Sequence, residues 1–482
     1  MNRIGHTFGP ILGVGFYPSP GVRHPASQRL IAVFLAIAFL GSGCGPGGGG
    51  GSSTVDNFPK AKITLTIWRP ANDADGFADT ISEYGQQHGN VSFVFKIINP
   101  DTYEKDLIEA LAAGKGPDIV SLPNDRIHAY QDKLVAMPDT FFGGTSAVNK
   151  LTSLYPEAVV TDTVSDGKIY GIPLVLNTLM LFWNRSIFQN EFNRRIKNQE
   201  PTNELLFRAP VDWQEMIQLT QLLTKRNGDN FDLSAISLGV SNNISHNSDI
   251  IAALMLQQGV KMVTADHKNA AFHLPDPADP TYYPGAAVLE YLHGYTDPAS
   301  NHYTWNAAQP DSVQAFIDGR LAMMLNYQSV IPYLNQRKPD LNFALAPLPQ
   351  IANTKTIVDF AGEYRVEAVT KDSKNAPVAW DFLSTMTKIG LPLYLEKTGS
   401  PSAVKVFPPT TTVSERISRS DAALMQVSTA KSWYKGTSPD QADQTLNESL
   451  DRVSRQGQAA KDSLIEAATA FTQLLNTQVT AP

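Results

Sequence analysis

Hydrophobic and polar residues alternate at several points along the chain, and each alternation predicts an element. Ile63, Leu65 and Ile67 alternate with Thr64 and Thr66, a strand that ends at Trp68-Arg69-Pro70. Phe77, Ile81 and Tyr84 share a face at helical spacing over 77–88, and Val91 to Ile98 reads as a second strand. Asn99-Pro100-Asp101 opens a helix in which Tyr103, Leu107, Ala110 and Leu111 form the apolar face. Gly114 stops it, and a short strand, Ile119 to Leu122, follows. Strand, helix, strand, helix, strand at this spacing predicts an open parallel sheet. Ligands gather at the carboxyl ends of such strands, which here carry Trp68-Arg69, Asn99 and Asn124-Asp125.

The stretch 166–184 is organised differently. Asp166-Gly167 is a turn signal, Pro173 stiffens an extended apolar run, and a polar step, Asn177-Thr178, separates Leu174–Leu176 from Leu179–Trp183. The whole is too long for one strand of about 5–6 residues and too broken for one helix. It reads either as a crossover between two lobes, with Asn177 and Thr178 in a cleft, or as a hairpin inside one domain.

A second α/β pattern follows. Asp212 and Glu215 have capping-box spacing ahead of Met216, Ile217, Leu219 and Leu223. Ala235–Val240 predicts a strand, Asp249–Gln258 a helix, 265–284 a loop insertion, and Asp311 with Gln314 the start of another helix. The strand Leu321–Leu325 runs into Asn326-Tyr327-Gln328-Ser329, a second expected crossing, and 361–365 ahead of the strand Val366–Val369 a third. Ala376, Ala379, Trp380, Leu383 and Met386 form a helical stripe that reads as core, as does the amphipathic helix 459–475; Trp183 and Trp213 also read as core.

Composition narrows the function. At 482 residues the chain exceeds one ordinary core. Its formal net charge of −7 argues against nucleic acid or an anionic membrane surface as the main partner. Arg23 and Arg29 precede an apolar run, Leu30–Leu40, too short to span a bilayer and suited to a signal peptide covering 1–43. Cys44 directly follows; as the single cysteine it excludes an internal disulfide and a thiolate metal cluster. Its place resembles the lipobox of bacterial lipoproteins, although Gly41 stands where that pattern prefers leucine and Leu40 is one residue earlier. A lipidated Cys44 and an uncleaved short anchor are the two readings. The glycine-rich segment 44–59 is a tether.

Catalytic signatures are absent. The nine histidines lack metal-ligand spacing, and there is no nucleophile elbow, phosphate loop or dinucleotide fingerprint. No cofactor or metal is expected.

The segments ITLTIW (63–68), ALAAGKGPDIV (110–120), YGIPLVLNTLMLFWN (170–184), PVDWQEM (210–216), FIDGRLAMMLNY (316–327), APLPQ (346–350) and AWDFLSTMT (379–387) fall in an order that resembles the extracellular solute-binding proteins of ABC importers, the maltose-binding-protein-like class. The resemblance implies a type II periplasmic-binding-protein-like α/β fold with a ligand cleft between two hinged lobes, 60–173 plus 326–366 and 177–322 plus 369–478, hinged at 173–178, 322–327 and 362–368. It also implies a non-enzymatic, monomeric carrier, anchored outside the cytoplasm by lipid alone, that hands a carbohydrate to ABC permease subunits. An extracytoplasmic carbohydrate-active enzyme or sensor on a similar scaffold is the alternative. Sugars need hydrogen-bonding side chains beside flat rings. By family position Trp68, Asn124, Asp125, Asn177, Tyr327, Gln328, Glu363 and Tyr364 are the expected contacts, with Trp305 and Trp433 as second-lobe stacking platforms. Trp68 reads equally as core. Arg69 and Arg365 would suit an anionic solute if both faced the cleft, and otherwise pair with a nearby acid.

Overall fold

A computed structural model describes residues 58–70, 74–144, 146–228, 230–405 and 422–477. The period-two pattern at 63–67 is realised as β1 (Ile63–Arg69), in which Leu65 and Ile67 are fully buried. There follow β2 (Val91–Ile97), β3 (Ile119–Pro123), β4 (Leu134–Val135), β5 (Val164–Ser165), β6 (Lys168–Ile169) and β7 (Ile172–Pro173). Asp166 and Gly167 join β5 to β6 with φ of 49° and 69°, the left-handed pair that a tight hairpin turn requires. Beyond the turn come β8 (Met180–Asn184), β9 (Lys225–Asn227), β10 (Asn230–Ile236), β11 (Leu321–Asn326) and β12 (Phe343–Ala346). The last strands are β13 (Asp359–Phe360), β14 (Arg365–Thr370) and β15 (Ala430–Lys431).

The strands form two main sheets. The first has the order β2-β1-β3-β14-β4, with β7 also paired to β14; β1, β2 and β3 are parallel, as the sequence pattern predicts, and β14 runs antiparallel to its neighbours. The second has the order β12-β8-β11-β10-β9, with β10 and β11 parallel and the other pairs antiparallel. Each sheet has its own hydrophobic core, so the chain folds as two α/β lobes. Asp212 accepts from the Glu215 amide at 2.8 Å, and the Glu215 carboxylate turns back to the Val211 amide, so the expected helix start is present.

The lobe boundaries differ from those expected. Residues 326–360 belong to the second lobe, because β12 pairs with β8 and Tyr327, Leu334 and Leu348 sit in the second core. Residues 369–403 belong to the first, because β14 and the helices Ala376–Thr385 and Leu391–Thr398 build the first core. The polar step after β11 is no crossing. Asn326 turns its side chain onto the Tyr327 amide, and a 3₁₀ turn, Gln328–Val330, leads into the helix Ile331–Arg337 of the same lobe. Among the described residues, three crossings lie at 176–179, at 360–364 and at 427–433, the last being missed from sequence. They lie side by side. The Leu179 amide donates to Phe360 O (2.8 Å), Gly362 N to Asn177 O (3.2 Å) and Ala361 N to Lys431 O (2.8 Å). Cys44, residues 1–57 and part of the expected second lobe, 406–421, lie outside the described residues.

Arg69 is committed to the fold. It is 3% exposed, ion-paired with Glu367 across the first sheet and seated over the Phe77 ring. Arg365 sits over the Tyr103 ring and donates to Ser121 O. Of the two readings of these arginines, pairing with a nearby acid is the one realised at Arg69, with Glu367 as the acid. Arg69→Met removes one partner of this buried ion pair, and denaturant unfolding should show a loss of about 3–5 kcal/mol. A loss under about 1 kcal/mol would contradict this account of the first core.

Candidate functional site

The seam between the lobes encloses a cavity of about 240 Å³. One wall comes from the end of β3 and the 3₁₀ turn after it, Pro123, Asn124 and Asp125, with Asp162 behind; the opposite wall is His246, Ser248 and Asp249 at the start of the helix Asn247–Gln257. The crossings supply the rest, Phe360 to Glu363 and Ser432, Trp433 and Lys435, and Asp443 reaches in from the helix Pro439–Gln456. A wider open groove of about 670 Å³ lies on the first lobe, with Thr437 alone coming from beyond it. The smaller cavity is the candidate site, because both lobes and two crossings build it.

Its centre is a lysine. The Lys435 ammonium, on a side chain 10% exposed, lies 2.8 Å from Asp443, 3.5 Å from Asp249 and 3.9 Å from Asp125. Burial alone would lower its pKa, yet the three carboxylates outweigh burial and hold it charged. Burial pushes Asp443 up, and the ammonium draws it partly back. Asp249 in turn accepts from the buried Tyr327 hydroxyl at 2.8 Å. On the facing wall Asp162 accepts from Asn124 Nδ2 (2.8 Å), Tyr364 Oη (2.5 Å) and Ser432 Oγ (2.6 Å). Burial outweighs those three donors and pushes Asp162 up to about 7.

Glu363 and His246 both adopt left-handed backbone, φ 49° and 57°, a conformation unusual for such residues and concentrated at functional sites. Their side chains meet at 3.5 Å, and Glu363 also accepts from Ser329 at 2.6 Å.

The expected site residues divide accordingly. Asn124, Asp125, Glu363 and Trp433 line the cavity. Tyr327 and Tyr364 lie behind it, fully buried, holding Asp249 and Asp162 through their hydroxyls; they are positioning groups and offer no ring to a solute. Asn177 braces the crossings by donating to Glu363 O at 2.8 Å. Gln328 lies off the cavity against the Met180 sulfur. Trp68 is outside it too, packed on the first core beneath the Lys96 ammonium. Trp305 is not a stacking platform: it is fully buried in the second core, its Nε1 donating to Asn243. Asp162, His246, Asp249, Lys435 and Asp443 were not foreseen. Asp443 lies in a polar helix that reads as a solvated face, and Lys435 follows Trp433-Tyr434 without a motif of its own. Among the described residues no group of three or more His, Cys, Asp or Glu could hold a metal ion.

Two α/β lobes, three adjacent crossings and a polar cavity at their seam define a two-lobe solute-binding fold. The chain belongs to the bacterial extracellular solute-binding protein family, which residues 79–415 match. A galactooligosaccharide-binding protein of Bacillus subtilis is 25% identical over 158 residues, 32% of this chain and 34% of that protein's length. The cyclic α-maltosyl-1,6-maltose binding protein of Arthrobacter globiformis superposes with a TM-score of 0.65 at 18% identity, over 86% of this chain and 99% of that one. An ABC transporter solute binding protein of Thermotoga lettingae, solved with α-D-tagatose, gives 0.61 at 18% identity over 86% and 100%. At these identities the structural likeness is one of fold.

The raised Asp162 sets a pH dependence. An unfolded aspartate titrates near about 3.9, so between there and about 7 the folded chain holds a proton that the unfolded chain releases. The stability from this group is full at the acid end and is lost as pH rises through about 7. Melting temperature should fall from pH 5 to pH 8, and Asp162→Asn should flatten that slope whatever it does to overall stability. An unchanged slope would mean that Asp162 is ionised throughout.

Proposed function

We propose that this protein captures a carbohydrate outside the cytoplasm and delivers it to the permease subunits of an ABC importer, held at the membrane by a lipid on Cys44. The carrying observation is the seam cavity, where carboxylates from both lobes, Asp125, Asp249, Glu363 and Asp443, stand beside the indole of Trp433. Carboxylates accept from sugar hydroxyls, and Trp433 closes the wall from the second core. Membership in an extracellular solute-binding family and the sugar-binding names of its relatives support the same reading.

A cavity of about 240 Å³ is smaller than the roughly 300–1,000 Å³ that ligand sites usually offer, so a disaccharide enters only when the lobes part. Hinge closure around solute is the known behaviour of periplasmic binding proteins, and here it is assigned to the three crossings. Outside the cavity the lobes are tied by Arg126, paired with Asp440 at 2.6 Å, and by Tyr434, whose ring lies between His128 and His267. Asp440 is 77% exposed, so that ion pair is a weak latch that can open. Membership in a solute-binding family supports reading the protein as a binder rather than an enzyme.

Calorimetry against a panel of malto- and galacto-oligosaccharides tests the reading. Glu363→Ala and Trp433→Ala should each weaken the ligand found by about 5- to 150-fold, the equivalent of about 1–3 kcal/mol. Trp68→Ala, outside the cavity, should leave affinity within about twofold. Equal losses at all three positions would move the site elsewhere. For the anchor, Cys44→Ser should shift the protein from the membrane to the soluble fraction; no shift means that lipid is not what holds it.

A further inference from the structure

The cavity wall carries more carboxylates than cations. Asp125, Asp162, Asp249, Glu363 and Asp443 line it against one ammonium, Lys435, and one imidazole, His246. Even with protons on Asp162 and Asp443, three carboxylates face that single fixed charge. Two buried polar atoms of the wall, Asp443 Oδ1 and Trp433 Nε1, have no hydrogen-bond partner, and Trp433 is only 4% exposed. Lys435 does not supply what an anion needs. Its charge is already shared among Asp125, Asp249 and Asp443, carboxylates contributed by both lobes.

Resting on the carbohydrate-binding reading, we infer that the cleft selects its solute by charge. It admits neutral and amine-bearing polyols and rejects uronates and sugar phosphates, with Lys435 as the internal counter-ion that sets the balance. An anionic sugar entering this wall meets like charge at several points in a partly desolvated space, where repulsion is strongest. A protonated amine meets the opposite. Lys435 limits how strongly, because it already neutralises part of the wall. Removing its charge therefore sharpens the preference for amines.

The test uses matched sets of mono- and disaccharides in neutral, 2-amino, uronate and 6-phosphate forms, together with a simple aliphatic diamine. Binding is read by calorimetry and thermal shift on the mature protein and on Lys435→Gln, with folding of the variant checked by circular dichroism. The expected result is that amino and neutral forms bind and that each acidic form binds at least about tenfold more weakly than its neutral parent. In Lys435→Gln the ratio of amino to neutral affinity should rise by about tenfold; a merely structural lysine would weaken both forms alike and leave the ratio fixed. A uronate or phosphate that matches or exceeds its neutral parent overturns the inference while leaving carbohydrate binding intact. Binding of the diamine with no sugar bound overturns the carbohydrate reading and supports charge selection. If no member of the panel binds, both fall.

Discussion

Everything at the seam depends on one constraint: three chain segments must leave one core and enter another without stranding their backbone amides and carbonyls. The solution is to run the crossings beside each other. The first and second pair through Leu179 with Phe360 and Gly362 with Asn177, and the second and third through Asp359 with Thr429 and Ala361 with Lys431. Gln426, fully buried, adds a side-chain stitch: its amide donates to Thr178 Oγ1 and Leu179 O, and its carbonyl accepts from the Leu348 amide. Buried backbone groups left unpaired are costly, so the crossings form one hydrogen-bonded band. The seam cavity lies where that band meets the two lobes.

The band also explains why the cavity is polar. The apolar crossing residues, such as Leu179, Phe360 and Ala430, go into one core or the other, while Glu363, Ser432 and, just beyond the last crossing, Lys435 line the gap. The lobes answer with groups held from behind. Tyr327 and Tyr364 are buried as deeply as any core residue, yet each directs its hydroxyl to a cavity aspartate, Asp249 and Asp162. Gly362 makes this arrangement possible, because a Cβ there would come within 2.4 Å of the Tyr327 hydroxyl. Rigid aromatic supports behind hydrophilic acceptors fix the direction in which a solute hydroxyl can bond. The arrangement fits a binder, whose groups must be placed before the solute arrives.

Charge inside the seam is arranged in opposition to the rest of the structure. In the first core Arg69 and Glu367 form a buried ion pair within the sheet. At the seam one ammonium serves three carboxylates, and the facing aspartate, Asp162, is raised to about 7 by burial. The first arrangement is a pair buried inside a lobe; the second leaves carboxylates in excess of cations around a cavity.

The sequence by itself determined the elements and their kind. The alternation at 63–67, the helical stripe around Trp380 and the capping spacing at Asp212 and Glu215 are local signals, carried by periodicity and by side chains that bond their own backbone, and each appears in the structure. The α/β class was legible in that periodicity; 177–178 read as a crossing or a hairpin alike, and the cavity residues Asn124, Asp125, Glu363 and Trp433 were reached through the family resemblance and the need for polar groups beside rings. Tertiary structure alone decided which lobe each later segment joined. The step at 326–329 and the step at 361–365 look alike in sequence, two polar runs beside apolar strands. Only the pairing of β12 with β8 and of β14 with β3 separates a turn within a lobe from a passage between lobes. The same holds for the site. Asp162, Asp249 and the Lys435–Asp443 pair lie far from one another in the chain, and all are ordinary in their local surroundings. They become a charge cluster because long-range packing brings two lobes and a third crossing together, and no local pattern encodes that distance.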